Sequence, residues 1–381
     1  MKRVSPTIVE IDLEALRFNF CQLKKKVPQG TRILCVVKSN AYGHGAARVS
    51  KVLQEEGADF FGTGTVDEGI ELREAGVKRP ILLLMGLIAD HFESLLRYQL
   101  TPVIYDEAIL EPLNGFLVRA KKRLSVHIKV DTGMTRLGIL PENLDVFFKK
   151  LKELPALEPE GLLTHLADAT DNSFTEQQKK IFEKAKTVFH KYFGGNRIRH
   201  LANSQAVMDQ KGTPSVKVSE EGSNDEWMVR FGIALYGAYP SPGSEQLMAL
   251  KPVMTWKTKI ISLKKIPLKR PVSYGRTFYT KKESLIGVLP VGYADGYPRL
   301  LSNRAHVLVR GKPVPVVGTI CMDMMMVDLT SVPNARVGDE VVLLGAQGSS
   351  RVRAEELASQ AETISYEIFC RIAERISRVY R

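Results

Sequence analysis

A lysine that ends an apolar run is the first residue of this sequence with chemistry in reach. Ile33 to Val37 has the length and β-branching of a buried strand, and Lys38 follows it at once, leading the segment K-S-N-A-Y-G-H-G. A primary amine partly withdrawn from water at a strand mouth loses basicity and becomes a nucleophile toward carbonyls. A lysine in that place can also run its methylenes over apolar surface and leave its head in water. Ser39, Asn40, Tyr42, Gly43 and Gly45 then supply hydroxyls, an amide and backbone able to approach an anion closely. The same setting recurs along the chain. Apolar runs end at Lys129-Val130-Asp131-Thr132-Gly133-Met134-Thr135-Arg136, at His165, at Asn203-Ser204 and at Arg230-Phe231-Gly232-Ile233.

Elements that could bring these ends together are legible in the spacing. Short apolar runs begin near Ile33, Phe60, Ile81, Val103, Val126, Gly161, Ile198 and Val229, with helical segments such as Ala46–Glu56, Val66–Ala75 and Thr175–Phe193 between them. Eight parallel strands alternating with helices close a (β/α)8 TIM-type barrel, and the C-terminal ends of its strands share one mouth. A helix is expected to open near His44. The pattern breaks at Tyr239-Pro240-Ser241-Pro242-Gly243. Residues 12–241 read as the barrel; residues 1–11 with 242–381 read as a mostly-β domain, closed by a helix over Ala354–Arg375. The Ser-, Gly- and acid-rich stretch 211–226 reads as a solvated insertion before the eighth strand.

Composition narrows the function classes. With 381 residues, 44% hydrophobic and 25% charged, the chain is a folded α/β protein with room for two cores. The charge of +12 is scattered in short clusters, Lys24–Lys26, Lys121–Arg123, Lys264-Lys265, Lys269-Arg270 and Lys281-Lys282, without interleaved aromatic motifs, so no nucleic-acid partner is expected. The basic start Met1-Lys2-Arg3 has no apolar segment behind it, and the longest apolar run, Ile81–Ala89, is too short for a bilayer. A cytoplasmic protein without a membrane partner is the expectation. Four cysteines show no paired spacing, and no metal site is expected.

Seven segments in order resemble the alanine racemase family, the pyridoxal 5′-phosphate enzymes of the barrel fold type. They are V-V-K-S-N-A-Y-G-H-G at 36–45, K-V-D-T-G-M-T-R-L-G at 129–138, V-R-F-G-I-A-L-Y-G at 229–237, S-Y-G-R-T-F at 273–278, G-Y-A-D-G-Y-P-R at 292–299, C-M-D at 321–323 and S-Y-E at 365–367. The resemblance implies a homodimer with shared active sites that interconverts L- and D-alanine and supplies D-alanine for peptidoglycan. It implies that Lys38 holds the cofactor as a Schiff base and serves as one of two bases, the other being Tyr274 from the partner subunit. On the same footing Arg230 meets the pyridine nitrogen. His165 and Asn203 lie near the cofactor, and Tyr42, Ser204, Gly232, Ile233 and Tyr366 hold its phosphate. Arg136, with the backbone of Met322, takes the substrate carboxylate; Tyr293 and Asp323 shape the entrance; and Lys129 matches a lysine often carbamylated in that family. Alone, Tyr274 in its Ser-Tyr-Gly turn reads as a packing residue and Arg230 as a barrel-end ion-pair partner; only the surrounding motifs reverse both readings. The rival activities are a racemase of broader specificity, a decarboxylase of the same layout and a cofactor carrier. Tyr274 and Arg230 weigh against the decarboxylase, and the full β domain with Tyr274 weighs against the carrier.

Overall fold

A computed structural model describes residues 5–209 and 226–381. The stretch 211–225 lies outside the described residues. The chain opens with strand β1, Ile8–Ile11, and the helix Leu13–Lys25, whose first turn is capped by the Asp12 carboxylate accepting from the Ala15 N–H at 2.8 Å.

Eight parallel strands then close a barrel: β2 (Arg32–Val36), β3 (Phe60–Thr63), β4 (Ile81–Leu83), β5 (Leu100–Ile104), β6 (Leu124–Lys129), β7 (Leu157–Leu163), β8 (Ile198–His200) and β9 (Glu226–Phe231). Closure is made by β9 against β2, with Arg32 opposite Met228 and Cys35 opposite Phe231. The strands are near-continuous apolar runs because helices cover one face and side chains fill the other. β5, β7 and β9 begin three or four residues before the apolar runs at Val103, Gly161 and Val229. Their opening segments include polar residues, Thr101, Glu158 and Glu226, that are nonetheless paired at the barrel's far end.

The C-terminal domain is separate and mostly strand, as the composition shift at Tyr239–Gly243 predicts. The strands β10 (Met254–Lys259), β11 (Ser262–Ile266), β12 (Pro271–Val272), β13 (Phe278–Tyr279), β14 (Ser284–Leu289), β15 (His306–Val309), β16 (Lys312–Pro315), β17 (Met325–Asp328), β18 (Glu340–Gln347), β19 (Ser350–Val352) and β20 (Ser377–Tyr380) form three sheets. The largest runs β16-β15-β18-β10-β1-β20, so β1 lies between β10 and β20. β10 alternates buried and partly exposed residues, the signature of a sheet with one face on a core. One hydrophobic cluster continues from barrel residues such as Leu34 and Phe61 to Trp256, Val307 and Leu343.

One expectation is overturned. No helix spans Ala354–Arg375: the segment holds two short helices, Ala354–Gln360 and Ser365–Cys370, split where Glu362 takes φ 55°, and it leads into β20. The strand β20 pairs in parallel with β1, a long-range match that local apolar spacing cannot reveal. The helix expected to open near His44 runs Ala46–Glu55, one residue short of the Ala46–Glu56 spacing, and a turn of a different kind precedes it.

Candidate active site

Between β2 and the helix Ala46–Glu55 the chain makes a turn over Lys38–Tyr42 in which Ser39, Asn40, Ala41 and Tyr42 all have φ 52°. Four consecutive left-handed non-glycine residues cost roughly 1–2 kcal/mol each, so the fold must hold them there. Internal hydrogen bonds help: Ala41 N–H to the Val37 carbonyl at 2.8 Å, Gly43 N–H to Ser39 at 2.9 Å and Gly45 N–H to Asn40 at 2.9 Å. The Asn40 side chain accepts from the Ala46 N–H at 2.7 Å and so caps the following helix. Buried His44 points Nδ1 at the Tyr42 carbonyl at 2.8 Å, and its burial pushes its pKa down to about 4, which keeps it a neutral donor. Such strain concentrates at functional sites. It delivers Lys38, half-buried, to the barrel mouth.

Across the mouth, Arg230 at the end of β9 is 5% exposed and surrounded by acceptors. Its Nη1 donates to the His200 carbonyl at 2.9 Å and to His200 Nδ1 at 3.1 Å. Its Nη2 donates to the carbonyls of Thr164 at 2.7 Å and Leu201 at 3.1 Å, and to His165 Nδ1 at 3.1 Å. Burial holds the pKa of Arg230 down to about 10, and burial with the Arg230 charge holds that of His165 down to about 3 and drives that of His200 well down. Both imidazoles are therefore neutral acceptors toward Arg230. That fixes the tautomers behind it: His200 Nε2–H donates to His127 Nδ1 at 2.9 Å, leaving His127 Nε2 3.4 Å from Glu160.

β6 ends in Lys129, 6% exposed. Its pKa falls to about 8, chiefly through burial and then through Arg230, Arg136 and Lys38, with Asp131 alone opposing. The loop after it is shaped by Asp131, whose Oδ1 accepts from the N–H groups of Gly133 at 2.9 Å and Thr135 at 3.0 Å, and it carries Arg136 into solvent. Thr132 and Gln178 brace it from below: Gln178 Nε2 donates to Thr132 Oγ1 at 2.9 Å and to the His165 carbonyl at 3.0 Å. Four cations thus gather around one opening, which favours anions.

A third set of groups sits at the ends of β8 and β9. Ser204 Oγ accepts from the Gly232 N–H at 2.8 Å, and Ile233 follows as the first residue of a short 3-10 turn. A Cβ on Gly232 would lie 3.2 Å from the Tyr42 hydroxyl and 3.9 Å from Ser204 Oγ, so Gly232 leaves open a cradle lined by two hydroxyls. Tyr366, on the helix Ser365–Cys370 of the β domain, reaches this place in the same chain, its ring 5.7 Å from that of Tyr42. Half-buried Asn203 caps the helix Ser204–Asp209, its Oδ1 accepting from the Ala206 N–H at 3.0 Å. The cradle, the donor-only Arg230 and the lysine of the strained turn together fit a phosphorylated aromatic aldehyde such as pyridoxal 5′-phosphate: hydroxyls and amides for the phosphate, a donor for a ring nitrogen and an amine for the aldehyde.

The remaining predicted residues lie apart. Tyr274, 73% exposed, sits in a turn of the β domain whose carbonyl accepts from Thr319 Oγ1 at 2.9 Å. Neighbouring loops hold exposed Tyr293, whose N–H donates to the Cys321 carbonyl at 3.1 Å, exposed Met322, and Asp323, which pairs with Arg375 at 2.6 Å. Among the described residues these four share no hydrogen bond, ion pair or ring contact with the residues of the barrel mouth. His200 and His127 lie outside every motif the sequence offers. The only available signal was their place in the strands β8 and β6, beside the predicted His165 and Lys129.

Comparison with known proteins agrees along the whole chain. Residues 11–240 match the family profile of the alanine racemase N-terminal domain and residues 253–380 that of the C-terminal domain. The alanine racemase of Halothermothrix orenii is 43% identical over 383 aligned residues, spanning 100% of this chain and 98% of that protein. Among solved structures, the alanine racemase of Streptomyces lavendulae superposes with a TM-score of 0.92 at 32% identity, over 100% of this chain and 98% of that one. The alanine racemase of Bacillus anthracis with bound L-Ala-P superposes with a TM-score of 0.90 at 31% identity, over 100% and 96%.

Proposed function

The chain belongs to the alanine racemase family of isomerases, and on that footing we propose that it interconverts L- and D-alanine by a two-base mechanism, as a homodimer loaded with pyridoxal 5′-phosphate. When bound, the cofactor makes the Cα proton of alanine acidic by spreading the carbanion's charge into its ring. The protein's own groups do the rest. Lys38 Nζ anchors the cofactor, then takes or returns a proton on one face of Cα, and the hydroxyl of the partner subunit's Tyr274 does so on the other. Arg230 faces the ring nitrogen as a donor that keeps its own proton, so the electron sink stays weak and the proton goes back to Cα. Tyr42, Ser204, Gly232, Ile233 and Tyr366 hold the phosphate, with Asn203 and His165 beside the ring.

Arg136 takes the substrate carboxylate as a planar fork, joined by the backbone of the partner subunit's Met322. Lys129, whose lowered pKa leaves part of it as free amine at neutral pH, is suited to carbamylation, in which the amine adds carbon dioxide and releases a proton to water, leaving an anion that orients Arg136. Tyr293 and Asp323 shape the entrance. The physiological role is D-alanine supply for peptidoglycan, in the cytoplasm.

The observation that carries this reading is Arg230, buried with five acceptors, two of them histidine nitrogens and the rest carbonyls, so that no carboxylate takes its proton. The test is circular dichroism of L-alanine incubated with protein and cofactor. The signal should decay to zero, and Lys38→Ala should slow the decay by at least about 10⁴-fold. A cofactor-loaded protein that leaves both the signal and the Cα proton of alanine untouched in heavy water overturns the proposal.

A further inference from the structure

We infer that Glu68 and Arg378 are positioning residues that aim the Lys38 side chain by clamping the two ends of its left-handed turn. Neither belongs to the mouth, and the inference rests on the proposed role of Lys38. The first clamp is a carboxylate. Glu68 Oε1 accepts from the Ser39 N–H at 2.6 Å, while its Oε2 accepts from the N–H groups of Gly64 at 2.7 Å and Thr65 at 3.4 Å. Glu68 is the third residue of the helix Val66–Glu74, and Thr65 Oγ1 accepts its N–H at 3.3 Å, so the two residues form a capping box. A capping box needs only the bond to Thr65. The 2.6 Å bond to Ser39 joins a different segment and is the shorter of the two, so Glu68 does more than start its own helix. It also stands next to the lysine: a Cβ on Gly64 would lie 3.2 Å from Glu68 Oε2 and 3.8 Å from Lys38 Cβ.

The second clamp is a guanidinium. Arg378, on β20, donates through Nε to the Gly43 carbonyl at 3.1 Å. Its terminal nitrogens donate to the carbonyls of Ile372, Ala373 and Ile376 at 2.7–2.8 Å, which fixes the fork to the β domain and leaves Nε to reach across to the barrel. The contact is close enough to exclude side chains: a Cβ on Gly43 would lie 2.5 Å from the Phe369 carbonyl oxygen, and one on Gly45 1.8 Å from the Tyr380 hydroxyl. One end of the turn is therefore held by an acceptor from the barrel and the other by a donor from the β domain. With both in place, four residues at φ 52° cannot return to the right-handed region, where they would redirect the Cα–Cβ bond of Lys38.

The test separates the clamp from helix capping and from the proposed function. In cofactor-free protein, amide hydrogen exchange of peptides spanning residues 38–45 should speed up about 10- to 100-fold in Glu68→Ala and in Arg378→Met, the loss expected for one hydrogen bond to a charged group. In loaded protein the same variants should release the cofactor more readily by a similar factor and lose kcat with little change in KM for alanine. Glu68→Gln, which keeps an acceptor for Ser39, should stay within about threefold of the wild type. Thr65→Ala removes the helix cap but spares the Ser39 bond, and should leave exchange at 38–45 unchanged. Glu68→Asp withdraws the acceptor by one methylene and reads the same way if Glu68→Ala does not fold. Unchanged exchange and cofactor retention in the Glu68 and Arg378 variants, or a Thr65→Ala effect equal to that of Glu68→Ala, overturns the inference. Loss of protection in a chain whose wild type takes up no pyridoxal phosphate leaves the clamp standing and removes the proposed function.

Discussion

The barrel mouth and the loop cluster around Tyr274 are finished to different degrees. In the mouth, Arg230 is 5% exposed with five acceptors, and its neighbour His200 is fixed in tautomer by its bond to His127. In the cluster the backbone is equally well held, with Ser273 Oγ donating to the Thr319 carbonyl at 2.5 Å and Ala294 N–H donating to that of Met322 at 3.0 Å. Its side chains nonetheless face solvent, Tyr274 at 73% and Met322 at 55%. A rigid backbone that presents large side chains outward is the form of a surface meant to meet another. Within one chain the mouth is a built site, and under the proposed function the cluster is the other half of someone else's.

The sharpest way to break that contrast is to separate the halves genetically. Tyr274→Phe should lower racemisation by about 10²- to 10⁴-fold, and a mixture of Tyr274→Phe and Lys38→Ala chains, unfolded and refolded together, should recover about a quarter of the wild-type rate, since about half of random dimers hold one intact site. No recovery would place both bases in one chain and make the exposed cluster irrelevant to catalysis.

A smaller effect tests the finish of the mouth. Arg230→Lys keeps the charge but offers three donors where five contacts exist, so it should cost at least about 2 kcal/mol of stability in urea titration, whereas Met322→Ala in the cluster should cost under about 0.5 kcal/mol. Equal costs would show that the two regions are packed alike.

The smallest effect is a slope. The pKa of His44 is lowered to about 4 and that of His165 to about 3 by burial first, and that of His200 is also pushed down, while an unfolded histidine titrates near 6.5. Below about pH 6.5 the unfolded chain therefore binds protons that the native mouth refuses. Stability is complete above that pH and falls as the pH drops toward 4, by up to about 1.4 kcal/mol per pH unit for each histidine. His44→Asn, which keeps an N–H for the Tyr42 carbonyl, should make the acid limb of a Tm-against-pH curve shallower by about one proton. An unchanged slope would show that His44 is protonated in the fold.

Much of this was legible in the sequence, and the part that was not has a common cause. Apolar runs of barrel length, and a lysine immediately after one of them, are local facts, so the eight strands and Lys38 could be read directly. The polar first turns of β5, β7 and β9 could not, because only their neighbours in the barrel make Glu158 or Glu226 part of a strand. The segment Ala354–Arg375 has helical spacing throughout, yet it breaks at Glu362 to let β20 reach β1. The bonds Glu68–Ser39 and Arg378–Gly43 follow the same rule: each joins segments distant in the chain, and no local pattern shows what either side chain holds.

The bond from Arg378 to Gly43 joins residues 335 positions apart. A ribosome adding ~5–20 residues per second makes Lys38 roughly 20 to 70 s before it makes Arg378. The turn that aims the lysine is therefore among the last parts of the molecule to be secured, long after the barrel strands that flank it have been synthesised. A nascent chain would expose a lysine not yet set for its cofactor, and acquisition of that cofactor would report that the β domain has docked, which makes loading a chemical readout of completed folding.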